Sequence, residues 1–350
     1  MYLLFAVLTC FDKSSEWFTL AEKISYMQSI GYYQEVISNY FTTTSVIKEP
    51  RNLYDPISYI LSLGGKRMRP VLTLMAAEIF NADCRAALPA AVAVEIFHNF
   101  SLVHDDIMDD APLRRGNQTV HEKWNINTGI LSGDAMLIMA YRHFEEYEPE
   151  TFRSLAKLFS KTALEVCEGQ QWDVDFEERT DVTIPQYLKM IEYKTAVLVG
   201  AAMQMGAIVA KTSQGNCDLI YNFGLNLGIA FQLQDDYLDA FGNPETFGKQ
   251  VGGDIIENKK TYLYLKAKEF AQPEQAAQLQ ELFSVHPEDS SGKIAAVKEI
   301  FNATGASSAT QKAIEEYTFK AFETLEKLNI AEDKKAALKD FGGMLMGRNV

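Results

Sequence analysis

The chain has no CxxC pair. Its four cysteines, Cys10, Cys84, Cys167 and Cys217, are scattered over 350 residues, which argues against a disulfide scaffold or a thiolate zinc site and suits a reducing cytoplasm. It also lacks any uninterrupted run of 18 or more apolar residues, so no transmembrane span is expected. Alternating apolar and polar stretches of the strand type are essentially missing, as are low-complexity linkers and fixed-period repeats. Basic residues are in deficit: 33 Lys and Arg stand against 47 Asp and Glu, a formal net charge of −14. Nucleic-acid surfaces are normally basic, so no nucleic-acid partner is expected. An anionic substrate is still admissible, because a locally basic site or bound cations can reverse the local field.

What is present is apolar mass, 47% of the residues, enough for a large core. The first ten residues, MYLLFAVLTC, have the apolar character of a short signal but no Lys or Arg before the run, so the charged region of a signal is missing. Residues 1–25 are treated as an N-terminal extension and 26–350 as one catalytic domain. Pro70, in the first turn of VLTLMAAEIF, opens a helix, and a stretch from about 86 to 110, apolar on most faces, has the pattern of a central buried helix. Helical runs follow at about 129–145, 151–177, 184–211, 216–241 and 258–271. More amphipathic ones cover 273–284, 291–303 and 307–345, with the prolines at helix boundaries. One all-α domain, a helical bundle, is the simplest reading.

Two DDxxD clusters carry the chemistry. Asp105, Asp106 and Asp109 end one apolar helix, and Asp235, Asp236 and Asp239 end another. Residues i and i+4 of a helix share a face about 6 Å apart, so each cluster can direct two carboxylates into one cavity. Acidic groups at a helix C-terminus oppose its dipole, so they are not caps. Desolvated carboxylates repel one another unless cations join them. Magnesium suits this, because it takes one or two carboxylates, keeps waters and completes its shell with substrate phosphates. Basic residues stand where phosphates would then be met. Gly64-Gly65-Lys66-Arg67-Met68-Arg69-Pro70 brings three cations to a helix start. Arg114-Arg115-Gly116 follows the first Asp cluster, and Tyr193-Lys194-Thr195, Gly248-Lys249, Asp254 and Lys259-Lys260 come later. Singly, each is most often a surface cation; with both Asp clusters they describe a site for two diphosphates.

In order and spacing, GGKRMRP, FHNFSLVHDDIMD, RRG, YKT, FQLQDDYLD, GKQVGGD and NKKT resemble the trans-prenyltransferases of the polyprenyl synthetase family, over roughly residues 50–350. The resemblance implies an all-α bundle around a central cavity, usually a homodimer. The enzyme would join isopentenyl diphosphate head-to-tail to an allylic diphosphate, making a short all-trans product of C20 or C15 length. It also implies roles. Asp105, Asp106, Asp109, Asp235, Asp236 and Asp239 would hold three magnesium ions on the allylic diphosphate. Arg114, Lys194 and Lys249 would contact that diphosphate, with Lys259 nearby. Lys66, Arg69, His98 and Arg115 would bind isopentenyl diphosphate, while Thr195 and Gln232 would offer oxygens to the developing allylic cation. His98 lies seven residues before Asp105, on nearly the same helix face, which favours binding over simple packing. His104 is read as a packed core residue, and Phe231 and Tyr237 as core or cavity wall.

In this family the product tail extends back along the first Asp-bearing helix. Phe100 and Phe97 lie about 7.5 and 12 Å below Asp105 at roughly 1.5 Å per residue. With the small Ser101 beside them, they are the expected floor; the competing reading makes both rings ordinary core. A terpene cyclase or a head-to-head synthase would not need Lys66, Arg69, His98 and Arg115. A non-catalytic regulatory subunit would be expected to have lost carboxylates from one cluster, and here both are complete.

Overall fold

The computed structural model describes residues 27–44, 48–243 and 251–347. The 1–25 extension and Lys249 lie outside the described residues. The chain forms α1 (Ile30–Thr43), α2 (Arg51–Ser62), α3 (Met68–Ile79), α4 (Leu88–Met108), a two-stranded hairpin β1 (Leu113–Arg114) and β2 (Asn117–Gln118), and α5 (Val120–Lys123). Then follow α6 (Ile126–Arg142), α7 (Pro149–Glu178), α8 (Ile184–Ile191), a π-helical turn at Glu192–Ala196, α9 (Val197–Val209) and α10 (Gln214–Phe241). The remainder is α11 (Gly253–Ile256), α12 (Tyr262–Phe270), α13 (Pro273–Leu282), α14 (Ser291–Ala303), α15 (Ala306–Glu326) and α16 (Glu332–Met346).

The all-α expectation holds, and most helical runs fall within a few residues of their predicted bounds. Three differences have local causes. The run 307–345 is two helices: α15 ends at Glu326, and α16 restarts after Ala331 with Glu332 and Asp333 in its first turn, where acidic groups favour the helix dipole. The run 184–211 is interrupted by the π turn. The hairpin was not foreseen because two-residue strands are too short to show a periodicity.

Three apolar clusters share the interior. One joins α1, α3 and the C-terminal helices to α9 and α10, through residues such as Leu74, Met203, Phe223 and Phe341. Another joins α2, α4, α6 and α7, through Ile57, Phe97, Met136 and Phe159. The third gathers α8 and α12 to α15 around the C-terminal half of α10. Helices α4 and α9 are therefore apolar on most faces, as central elements must be. Helical residues Cys84–Met108 are long and apolar enough to cross a membrane by composition, but 67% of that window is buried inside the fold, the condition of a core helix. Lys334 on α16 is buried and donates to the carbonyls of Glu78 and Ile79, 3.1 Å each, and to Asn81 Oδ1. It thus satisfies carbonyls at the end of α3 that have no helical partner.

Candidate active site

The Asp-bearing ends of α4 and α10 and the π turn that precedes α9 are linked by charge. Lys194, in the π turn, reaches Asp173 of α7 at 2.5 Å. Burial works against its ammonium, but Asp173 and Asp105 outweigh that and hold its pKa above the ordinary lysine value. Asp173 in turn acts electrostatically on Asp236 and Lys259. A cleft of about 110 Å³ is lined by Asp173, Tyr187, Lys194, Thr195, Gln232, Asp236, Asp254 and Lys259, with Phe176, Met190 and Ile191 on its apolar side.

The π turn explains how two neighbouring residues serve this cleft. An inserted residue widens the helix locally, a device often found at functional sites. Gly169 of α7 makes room for it: a Cβ there would stand 2.2 Å from the Lys194 backbone nitrogen. Thr195 donates its hydroxyl hydrogen to Gln232 Oε1 at 3.0 Å, and the Gln232 amide donates to Asp236 Oδ1 at 2.8 Å. The Thr195 oxygen and the remaining lone pairs on Gln232 Oε1 stay open to an electron-poor centre.

Within each cluster the carboxylates differ. Asp106 is 1% exposed and is gripped by Arg114, whose Nε lies 2.8 and 2.9 Å from its two oxygens. Asp236 is 8% exposed, and both its oxygens accept side-chain hydrogen bonds, from Tyr187 and Gln232. The middle aspartate of each cluster thus accepts hydrogen bonds from protein donors, which fix its orientation and leave further lone pairs on its oxygens. Asp105 is pushed up to about 6 by burial, against Lys194 and Arg114 and with Asp109 and Asp106 adding to the rise, and burial raises Asp106 as well. Asp236 is raised to about 7, by burial first and then by Asp235 and Asp173, against the bonds from Tyr187 and Gln232. Asp254 is raised well above the carboxylate range by burial and by Asp236 and Asp239. Asp239 accepts the Asp254 backbone N–H at 3.0 Å. Crowded, partly desolvated carboxylates with raised pKa values are an all-oxygen donor set that fits a hard divalent cation.

The second basic group assembles around α3, α4 and the hairpin. Arg69 Nη1 lies 3.2 Å from His98 Nε2, and burial with the surrounding Arg69, Arg115, Arg114 and Arg67 holds the His98 pKa well below the usual imidazole value. His98 is thus neutral at pH 7, and its Nε2, facing a guanidinium donor, is the accepting nitrogen. Arg69 Nε is buried without a hydrogen-bond partner, an unmet donor that an anion's oxygen would satisfy. Arg115 occupies the first position of the two-residue turn between β1 and β2 with φ 52°, followed by Gly116 at φ 74°. Both values are left-handed, as a type I′ hairpin turn requires. An arginine is unusual there, and such strain gathers at functional sites. Its guanidinium donates to the Gly64 carbonyl and packs on Gly65, whose φ of 130° and lack of a Cβ make that approach possible: a Cβ would sit 2.8 Å from the guanidinium carbon. The hairpin separates the two arginines, directing Arg114 to Asp106 and Arg115 to the glycine turn.

Lys66 is exposed on that turn. Arg67, between Lys66 and Arg69 in sequence, is a structural cation instead: it pairs with buried Glu95 at 2.8 Å, caps Leu61 O and lies over the Phe41 ring. Lys259 pairs with Glu257 at 2.9 Å, and acidic neighbours raise its pKa against burial. Asp173 and Tyr187 went unrecognised in the sequence because neither belongs to a repeated or clustered pattern. His104 packs edge-on to Phe100 and lies 3.1 Å from Ile130 O, in keeping with its structural reading. Phe97 and Phe100 touch with centroids 5.4 Å apart, and Phe97 continues onto Phe159 at 5.0 Å. Ser101 bonds back to His98 O at 2.9 Å. Phe159 of α7 thus extends the Phe97–Phe100 aromatic contact of α4.

The sequence model of the polyprenyl synthetase family matches residues 50–301. A geranylfarnesyl diphosphate synthase from Natronomonas pharaonis is 35% identical, over 92% of this chain and 97% of its own. A geranylgeranyl diphosphate synthase from Methanosarcina mazei is 42% identical, over 64% of this chain and 69% of its own. Among solved structures, a geranylgeranyl pyrophosphate synthase superposes with a TM-score of 0.89 at 56% identity, covering 93% of this chain and all of the other. The geranylgeranyl pyrophosphate synthetase of Pyrococcus horikoshii OT3 gives 0.85 at 30% identity, over 97% of this chain and all of its own. Two Asp clusters linked electrostatically through Lys194 and Asp173, a separate arginine–histidine nest and these likenesses converge: the chain belongs to the polyprenyl synthetase family.

Proposed function

We propose that the protein is a magnesium-dependent prenyltransferase that condenses isopentenyl diphosphate head-to-tail with an allylic diphosphate, giving a short all-trans product. The arrangement of Lys194 between Asp105 and Asp173, beside Asp236, carries this reading: a cation amid converging carboxylates suits an anion held jointly by metal and lysine. Asp105, Asp109, Asp235 and Asp239 would hold the magnesium, with Asp106 and Asp236 positioning their neighbours through Arg114, Tyr187 and Gln232. Bound magnesium supplies charge neutralisation of the leaving diphosphate.

The chain's own residues do the rest. Lys194 and Lys259, kept protonated by their acidic neighbours, meet the developing negative charge as the allylic C–O bond ionises, an electrostatic effect set up before reaction. Thr195 Oγ1 and Gln232 Oε1 present lone pairs to the allylic carbocation. Arg69, Arg115, Lys66 and neutral His98 hold the isopentenyl diphosphate so that its double bond attacks that cation. The new C–C bond leaves a tertiary cation, and loss of a proton to the departed diphosphate restores a double bond. Phe176, Met190, Ile191 and the Phe97–Phe100–Phe159 rings keep water from the cation. A C20 product is the preferred reading, with C15 next, because an aromatic five residues before Asp105 is paired with small Ser101.

A homodimer is supported by α6, which leaves Ile126, Ile130, Leu131 and Ile138 between 41% and 60% exposed, an apolar patch a second copy would cover. A cytoplasmic setting is supported by Cys84, Cys167 and Cys217, all free thiols.

The test incubates purified protein, magnesium and labelled isopentenyl diphosphate separately with C5, C10 and C15 allylic primers, sizing the products by chromatography. Discrete products that vanish with chelator are expected. Failure to elongate any primer would refute the reading.

A further inference from the structure

Outside the cleft, the described residues contain another group of ligand-type side chains: Asp110, His121 and Glu122, whose carboxylate and imidazole atoms all lie within 4.8 Å of one another. The hairpin brings them together. Asp110 leaves α4 with φ 48°. The chain then runs through β1 and β2 and is fastened back on itself: Thr119 N donates to Pro112 O at 3.1 Å and its hydroxyl to Ala111 O at 2.8 Å. These two bonds tie the residue before α5 to the two residues after Asp110, holding Asp110 and His121 across the closed loop.

His121 is the second and independent sign. It is only 8% exposed, and neither ring nitrogen has a hydrogen-bond partner. A neutral imidazole carries one donor and one acceptor, and burying both unmet is costly. Its Nε2 stands 3.8 Å from Glu122 Oε1. That is too far for a hydrogen bond but close to the separation of two donors sharing one ion at about 2 Å each. The middle carboxylate of the adjacent cluster, Asp106, is turned to Arg114 instead.

We propose that Asp110, His121 and Glu122 form an accessory site for a borderline divalent transition cation of the zinc class, distinct from the magnesium of the Asp clusters. One imidazole with two carboxylates favours zinc, cobalt or nickel over magnesium, which prefers oxygen alone. Bound there, the ion would fasten the hairpin that carries Arg114 and Arg115 to α5, and it would satisfy the orphaned His121.

The experiment uses the full chain, stripped with chelator and then dialysed against graded zinc in millimolar magnesium, which occupies the oxygen-only sites. Bound zinc is measured by elemental analysis, and cobalt substitution by visible absorption. A single zinc per chain is expected. Glu122→Gln and Asp110→Asn should each weaken it roughly tenfold or more, since disturbing even outer-shell groups costs about 10- to 100-fold, and His121→Gln should abolish it. Asp235→Asn should leave it unchanged. If His121→Gln fails to fold, the two exposed carboxylates decide the matter. No zinc bound in magnesium, unchanged affinity in both carboxylate variants, or zinc lost with Asp235→Asn would each overturn the proposal.

Discussion

Without magnesium, the carboxylates of the cleft should make the protein less stable as the pH rises, and the effect is large enough to measure. Asp105 titrates at about 6 and Asp236 at about 7 in the folded chain, against an unfolded value of 3.8. A carboxyl whose folded pKa is raised binds its proton more tightly when folded, so the stability it allows at low pH is lost as pH climbs from the unfolded value through the folded one. Between pH 5 and pH 8, Asp105 crosses about one unit and Asp236 about two. At about 1.4 kcal/mol per unit, the two remove about 4 kcal/mol together. The measurement is urea unfolding in chelator at both pH values, for the wild type and for Asp236→Asn. The variant cannot ionise at that position, so its loss over the same span should be smaller, by about 3 kcal/mol. Magnesium should stabilise the wild type more at pH 8 than at pH 5, since it binds the ionised form. Parallel pH profiles for the two proteins would refute the assignment to Asp236 of a buried carboxyl that holds its proton to about pH 7.

Other outcomes follow from the same geometry. Lys194→Ala should lower kcat by about 100-fold or more, the scale of losing one charge-stabilising donor, in steady-state assays with a C10 primer. An unchanged kcat would remove Lys194 from the diphosphate site. Phe100→Ala opens space below Asp105 and should lengthen the product on chromatography; an unaltered product spectrum would sink the floor assignment. Gly65→Ala should raise KM for isopentenyl diphosphate while leaving that for the allylic primer near its original value, because the added methyl displaces the Arg115 guanidinium.

The architecture was largely legible because its helices are long and apolar on several faces, a pattern that survives without knowledge of neighbours. The Asp clusters were legible for a similar reason, since the i and i+4 spacing is local. What escaped notice depends on relations between distant segments. That Asp106 accepts from Arg114 and Asp236 from Tyr187 follows from the hairpin and from the packing of α8 on α10. Neither leaves a periodic trace. Arg67 and Arg69 are two residues apart and equally basic in sequence, yet buried Glu95 claims one and His98 faces the other. The hairpin could have been suspected from Arg115-Gly116, a turn-capable pair, but two-residue strands offer no alternation to support it. The role of Phe159 required seeing its ring on α7 meet Phe97 of α4.

The π turn at Glu192–Ala196 has a consequence for how sequences of this kind can change length. A turn that has absorbed one additional residue leaves the helices on either side in the register they would share without it. Deleting one residue between 192 and 196 would therefore yield an unbroken helix from Ile184 to Val209 with its buried faces still matched to α7 and α10. The same deletion elsewhere in α9 would rotate everything beyond it by about 100° and expose its core side. This stretch is thus the place where the long helix tolerates a shortened chain, and what the shortening forfeits is the separate aim of Lys194 and Thr195, chemistry surrendered while the fold is retained.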